Sequence, residues 1–183
     1  MKVPFFNINK VNYPIREEAI KKFIEVLDSG SFILGSEVIL FEKNFASYIG
    51  TKFACGVDNG TSALELILHA LDIKEGDEVI TTPASFISSS SAIAFTGAKP
   101  VFVDIDNETY TINPELIKDK ITKKTKAILP VHLYGQSADI TDIMFIAEEY
   151  ELYVIEDCCQ AHGARYKEKK VGNFGMAGAF SFY

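Results

Sequence analysis

Apolar positions along the chain follow two alternating rhythms, one of period near 3.6 and one of short unbroken runs. Ile20, Phe23, Ile24 and Leu27 recur at helical spacing with charges on the opposite side, between Pro14 at a helix start and Gly30 after the last turn. A second helical segment runs from about Ile39 to Tyr48. Lys52 to Val57 reads as a short buried strand. Leu64, Ile67, Leu68 and Leu71 mark the next helix, and Glu75-Gly76-Asp77 turns the chain into a strand over Glu78–Thr82. Ser85 to Phe95 predicts a helix despite its serines, ended by Gly97. A strand over Pro100–Asp104 follows, then a helix capped by Asn113 with Pro114 in its first position. The series closes with a strand over Ala127–Val131, a helix over Asp139–Tyr150, a strand over Leu152–Glu156 and a last strand over Gly178–Tyr183.

Strands that alternate with helices imply a mostly parallel sheet covered on both faces, an α/β chain of three-layer α/β/α form. A helical segment over about 1–50 precedes an alternating core over about 51–183. Neither an internal repeat nor a linker-like stretch divides the chain. Its 183 residues, 48% hydrophobic and 23% charged, exclude a disordered or low-complexity protein. No apolar run approaches the roughly 18 residues needed to span a bilayer, and the first residues lack a secretory hydrophobic core. The net charge of −7 leaves no basic face for nucleic acid. Cys55, Cys158 and Cys159 are odd in number and lack metal-like spacing with histidine, which fits reduced thiols, a cytoplasmic protein and no metal centre.

In parallel sheets ligands collect beyond the carboxyl ends of the strands. Asn59-Gly60-Thr61-Ser62 joins a strand to a helix there, with free N–H groups and hydroxyls that suit a phosphate or serve an ordinary cap. The segment is neither a Walker loop nor a dinucleotide G-x-G-x-x-G. Asp157 ends an apolar strand, where a carboxylate needs a partner: a protonated heteroaromatic nitrogen, a helix cap or a salt bridge. Gln160 reaches either the same ligand or nearby backbone. His132 and His162 read as packed or hydrogen-bonded, and Ser85 to Ser91 as a polar helix face.

The ordered set Asn59-Gly60-Thr61-Ser62-Ala63-Leu64, Pro83-Ala84-Ser85-Phe86, Pro130-Val131-His132-Leu133-Tyr134-Gly135-Gln136, Glu156-Asp157-Cys158-Cys159-Gln160-Ala161-His162-Gly163 and Gly178-Ala179-Phe180-Ser181-Phe182-Tyr183 resembles the DegT/StrS group of sugar aminotransferases. These are fold-type I enzymes dependent on pyridoxal 5′-phosphate (PLP). The resemblance implies that residues 1–183 are a PLP-binding large domain. In it Asp157 pairs with the pyridinium nitrogen, Gln160 bonds the phenolic oxygen, Phe86 stacks on the ring, and Thr61, Ser62 and Ser181 hold the phosphate. Cys158 and Cys159 stand where the group has small residues and are expected to pack. The Schiff-base lysine of the group follows the Ser-Phe segment, so it is expected just after Tyr183, with the small carboxy-terminal domain beyond it. Lys167, Lys169 and Lys170 lie in an upstream loop and do not match that motif.

The implied activity is conversion of a keto-sugar nucleotide to an amino sugar with glutamate as amino donor, by a homodimer whose sites lie at the subunit boundary, the segment around Phe32 and Gly35 helping to build that boundary or the substrate pocket. A branch of the group with histidine in place of the lysine dehydrates sugars and is the first alternative. A non-catalytic remnant is the second.

Overall fold

The computed structural model describes residues 3–5 and 7–183. Four helices are α1 (Ile8–Asn12), α2 (Arg16–Ser29), α3 (Ser36–Ile49) and α4 (Gly60–Ala70). Then come β1 (Glu78–Thr81), α5 (Ser88–Phe95), β2 (Lys99–Phe102), β3 (Thr125–Ile128), α6 (Ile140–Glu149) and β4 (Tyr153–Asp157). A small hairpin, β5 (Arg165–Tyr166) with β6 (Lys169–Lys170), and the strand β7 (Ala177–Ala179) complete the chain.

The main sheet has the order β2-β1-β3-β4-β7, and each neighbouring pair is parallel. Side chains alternate across it, as period 2 requires. Val79, Ala127, Leu129 and Ile155 pack with Leu64, Leu68, Ala92 and Ile93 of α4 and α5 on one face. Ile80, Ile128 and Val154 pack with Ile140, Ile143 and Ile146 of α6 on the other. Every strand in the middle of the sheet is therefore apolar on both sides, which is why the strands read as unbroken runs.

β2 is one border. The N–H groups of Lys99 and Val103 point inward to Asp77 and Thr81, so the nitrogen of Pro100, which has no hydrogen to offer, faces outward.

Four expectations change. Lys52–Val57 is not a strand: no described strand pairs with it, Gly56 N–H is instead held by Glu42 Oε1 at 2.7 Å, and Phe53 is exposed. The helix after Asn113 shrinks to two short 3-10 turns, Pro114–Leu116 and Lys118–Lys120. The Asn113 side chain closes on Glu115 N–H at 3.0 Å, one residue tighter than an α-helical cap on the third residue. The last strand stops at Ala179 because Phe180 and Phe182 leave the sheet to pack against Phe45 and Phe41 of α3. The lysines at 167, 169 and 170 belong to the turn and arm of the β5–β6 hairpin rather than to an open loop.

α2 has the expected apolar row, yet none of its residues is buried: Ile20, Phe23, Ile24 and Leu27 all face solvent. Phe32, Ile33 and Leu34 extend the exposed surface.

β4 ends in two adjacent buried carboxylates. Glu156 lies on the α6 face of the sheet and accepts four hydrogen bonds. They come from His132 Nε2 (3.1 Å) and from the N–H groups of Gly172 (2.8 Å), Phe174 (2.7 Å) and Gly175 (2.9 Å). His132 Nδ1 accepts Ala138 N–H at 3.1 Å, so the ring's proton sits on Nε2, toward Glu156. Cys158 Sγ lies beside them, and the three groups converge within 4.8 Å. The lone pairs of Glu156 and both ring nitrogens of His132 are already committed, and burial, with the charges of Glu156 and Asp157, raises the Cys158 thiol well above its ordinary value. The cluster is a latch, tying β3, β4 and the 172–175 segment together.

Burial alone would raise the Glu156 carboxyl, but the bonds from His132, Gly175 and Gly172 outweigh it and hold the group below its ordinary value of 4.5. A depressed folded value means that the unfolded chain binds the proton more readily. The contribution is thus complete above about 4.5 and lost as pH falls through the lower folded value. Glu156→Gln turns an acceptor toward N–H donors into an amide donor, and is expected to cost roughly 3–5 kcal/mol at neutral pH. Denaturant titrations should show the native protein losing stability on acidification through this window and the variant losing less. Parallel curves would remove Glu156 from the acid transition.

Candidate cofactor site

Strand order reverses between β1 and β3: β2 lies to one side of β1, whereas β3, β4 and β7 follow on the other. Loops leaving the carboxyl ends of such a pair diverge and open a crevice. A cavity of about 200 Å³ lies there. Ser85, Phe86 and Ser88 reach it from the segment after β1, Val131 from that after β3, and Asp157, Cys159 and Gln160 from the end of β4. Ser181, beyond β7, and Asn59, Gly60 and Thr61 at the start of α4 complete the lining.

Of the six residues singled out in the sequence, Thr61, Phe86, Asp157, Gln160 and Ser181 line this one cavity, and Ser62 does not. Ser62 N–H is taken by Asn59 Oδ1 at 3.0 Å, the cap that starts α4. Among the described residues no acceptor is paired with the N–H groups of Gly60 and Thr61, which sit at the positive end of the helix dipole. Gly60 is required by proximity. A Cβ there would lie 2.7 Å from Cys159 Sγ and 2.9 Å from Ser181 Cβ. The helix start thus comes down directly onto Ser181.

Asp157 is 5% exposed and faces the α5 side, the same side as Ile155. Its Oδ1 accepts Cys159 N–H at 3.2 Å and its Oδ2 accepts the Ser89 hydroxyl at 2.7 Å. Ser89 is in turn 2.7 Å from Ser85 Oγ, and Thr61 Oγ1 is 2.7 Å from Ser88 Oγ. By sequence alone Ser85–Ser91 is a polar helix face without further role. The missed signal is that Ser89 shares its helical stripe with the buried Ala92 and Ile93, a position where a hydroxyl must find a partner.

Gln160 is exposed, and its Oε1 accepts the N–H of Tyr134, a residue in the left-handed region at φ 53°. That bond leaves the amide Nε2 as the group free to donate. Phe86, 69% exposed, stands at the cavity mouth.

The cysteines divide. Cys158 packs with Ala161 and Val171. Cys159 lines the cavity, where burial first and the neighbouring Asp157 second raise its thiol far above the ordinary value, so it is a neutral wall. His132 belongs to the latch. The His162 ring lies 4.7 Å from that of Phe182 and 5.5 Å from that of Phe180; burial lowers its affinity for a proton, against the opposing bond from Ser181. No lysine lines the cavity among the described residues.

A model of the DegT/DnrJ/EryC1/StrS aminotransferase family matches residues 14–183. The chain is 51% identical over 180 residues to the dTDP-3-amino-3,6-dideoxy-alpha-D-galactopyranose transaminase of Aneurinibacillus thermoaerophilus, covering 98% of this chain and 50% of that protein. Among solved structures, DesV of S. venezuelae in complex with a ketimine intermediate superposes with a TM-score of 0.95 at 41% identity, over 100% of this chain and 49% of that one. NtdA of Bacillus subtilis with bound cofactor PMP gives 0.84 at 38% identity, over 87% and 37%. The chain spans about half the length of the curated relatives it matches. No helix of the described residues is long and apolar enough to cross a membrane. By the extent of that family match, and by its identity with the transaminase over nearly its whole length, the chain belongs to the DegT/DnrJ/EryC1/StrS aminotransferase family.

Proposed function

We propose that residues 1–183 form the PLP-holding part of a cytoplasmic aminotransferase that turns a keto-sugar nucleotide into an amino-sugar nucleotide, with glutamate as amino donor. One observation carries the reading: a buried carboxylate, Asp157, borders a cavity whose lining includes the capped helix start at Gly60 and Thr61. A flat cofactor with a basic ring nitrogen at one end and a phosphate at the other suits those two features.

The residues present fit the group. Asp157 has one lone pair left on each oxygen after its bonds to Ser89 and Cys159 N–H, enough to hold a proton on a ring nitrogen. Separating that ion pair in a dry site costs several kcal/mol, so the carboxylate keeps the ring cationic. Gln160 Nε2 donates to the phenolic oxygen, its orientation set by Tyr134 N–H. The amides of Gly60 and Thr61, with the hydroxyls of Thr61 and Ser181, take the phosphate. Ser62 contributes through the cap that holds this turn open. Phe86 covers one face of the ring. When bound, PLP supplies an electron sink that lets a proton leave the carbon next to the transferred nitrogen.

The cavity is smaller than the roughly 300–1,000 Å³ of sites that enclose a drug-sized ligand. The reading therefore gives the substrate-facing side, and the lysine that carries the proton, to the remaining length that the relatives have. It also assigns the bare apolar row of α2 to a second copy in a homodimer, because patches of this kind mark protein interfaces.

Asp157→Asn in the full-length protein should lower turnover by about 10²–10⁴-fold, the several kcal/mol lost with the counter-ion of the ring. Near-normal turnover would refute the assignment. Gln160→Ala should have a smaller effect and should alter the absorption of bound PLP; an unchanged spectrum would remove it from the site. Phe23→Asp with Leu27→Asp should yield a monomer in sedimentation, and a persisting dimer would mean that the α2 face is covered by something else.

A further inference from the structure

Ser89 is buried at 1% exposure, carries the shortest hydrogen bond made to Asp157, and has no part in the function just described. An ionised carboxylate can only accept, so the Ser89 proton points to Asp157 Oδ2. Ser89 Oγ then accepts in turn, which orients the Ser85 hydroxyl toward it over 2.7 Å. The result is a one-directional chain from the cavity wall at Ser85, through Ser89, to the carboxylate. Cys159 N–H holds the other oxygen. Two donors on two oxygens fix the carboxylate plane, and Asp157 itself lines the cavity.

We infer that Ser89, supported by Ser85, is a positioning residue that sets the plane of Asp157 and thereby the strength of its bond to the cofactor's ring nitrogen. The inference rests on the proposed PLP site and adds to it a residue that touches neither cofactor nor substrate. α5 supplies the placement. Its first turn places Ser88 toward Thr61 and Ser89 toward Asp157, so one helix start registers both ends of the cavity.

The test uses the full-length holoprotein with PLP labelled with ¹⁵N in its ring, read by the nitrogen chemical shift as pH is raised. Ser89→Ala is expected to move the shift toward the neutral pyridine value at a lower pH than in the native protein. It should also weaken retention of pyridoxamine 5′-phosphate about tenfold, the weight of one hydrogen bond to a charged group. Ser89→Ala takes one partner from a buried carboxylate, so the apoprotein should also unfold at a lower temperature. Ser89→Thr restores an O–H and should restore the native signal. Ser85→Ala, which leaves Ser89 in place, should shift the signal in the same direction by less; if Ser89→Ala does not fold, this variant decides.

Asp157→Asn separates the two claims. If it moves the nitrogen signal and Ser89→Ala does not, the role given to Ser89 is overturned while the site stands. If Asp157→Asn also leaves the signal unmoved, the reading of the site falls. A signal shifted equally by Ser89→Ala and Ser89→Thr would show a packing effect and would overturn the inference.

Discussion

Two carboxylates, taken out of water side by side at the end of β4, are the constraint on which the remaining structure depends. Neither tolerates burial without partners. Because successive strand residues face opposite sides, the two recruit from different layers. Glu156 draws His132 and three amides of the 172–175 segment on the α6 side. Asp157 draws Ser89 of α5 and the amide of Cys159 on the other. Backbone bonds in both directions bind the same place: His132 N–H to Asp157 O at 3.0 Å and Asp157 N–H to Pro130 O at 2.9 Å. One carboxylate thus anchors the sheet, and its neighbour is presented to a cavity with little freedom of its own.

The same geometry explains why a cavity-lining carboxylate can sit on a strand end rather than on a loop. A site whose supporting groups are locked loses less to reorganisation when a ligand arrives. Gln160 extends this economy outward, where the Tyr134 amide fixes which end of its side chain is free. Gly60 extends it inward, because the helix start and Ser181 approach too closely for any Cβ.

Much of this was legible in the sequence, for reasons of pattern. Strands buried on both faces leave unbroken apolar runs, and β1, β3 and β4 were placed to within a few residues. α2 showed its period and the glycine after its last turn, and α3 was placed to within three residues at either end. Lys52–Val57 misled because its composition is that of a strand, while strand formation also needs a neighbour that composition does not display. The final strand misled in the reverse way: Phe180 and Phe182 alternate as in a sheet but find aromatic partners on α3. Five of the six site residues meet at one cavity because strand ends converge at a switch point, which the order of elements implies. Ser89 was not legible. Among consecutive serines only the direction of the helix decides which one is buried, and that direction is set by packing of Ala92 and Ile93 against the sheet.

Pro100 on the outer edge of β2 makes the two borders of the sheet unequal. An incoming strand docking there would meet a gap in its ladder where a hydrogen should be, flanked by the charged Lys99. The border at β7 carries no such block among its three residues, Ala177–Ala179. Any enlargement of this sheet, whether by more polypeptide or by edge-to-edge pairing of molecules, is therefore directed to one flank. That flank is the one from which the chain runs on to Ser181, so whatever joins it arrives beside the crevice wall that Ser181 and the start of α4 form.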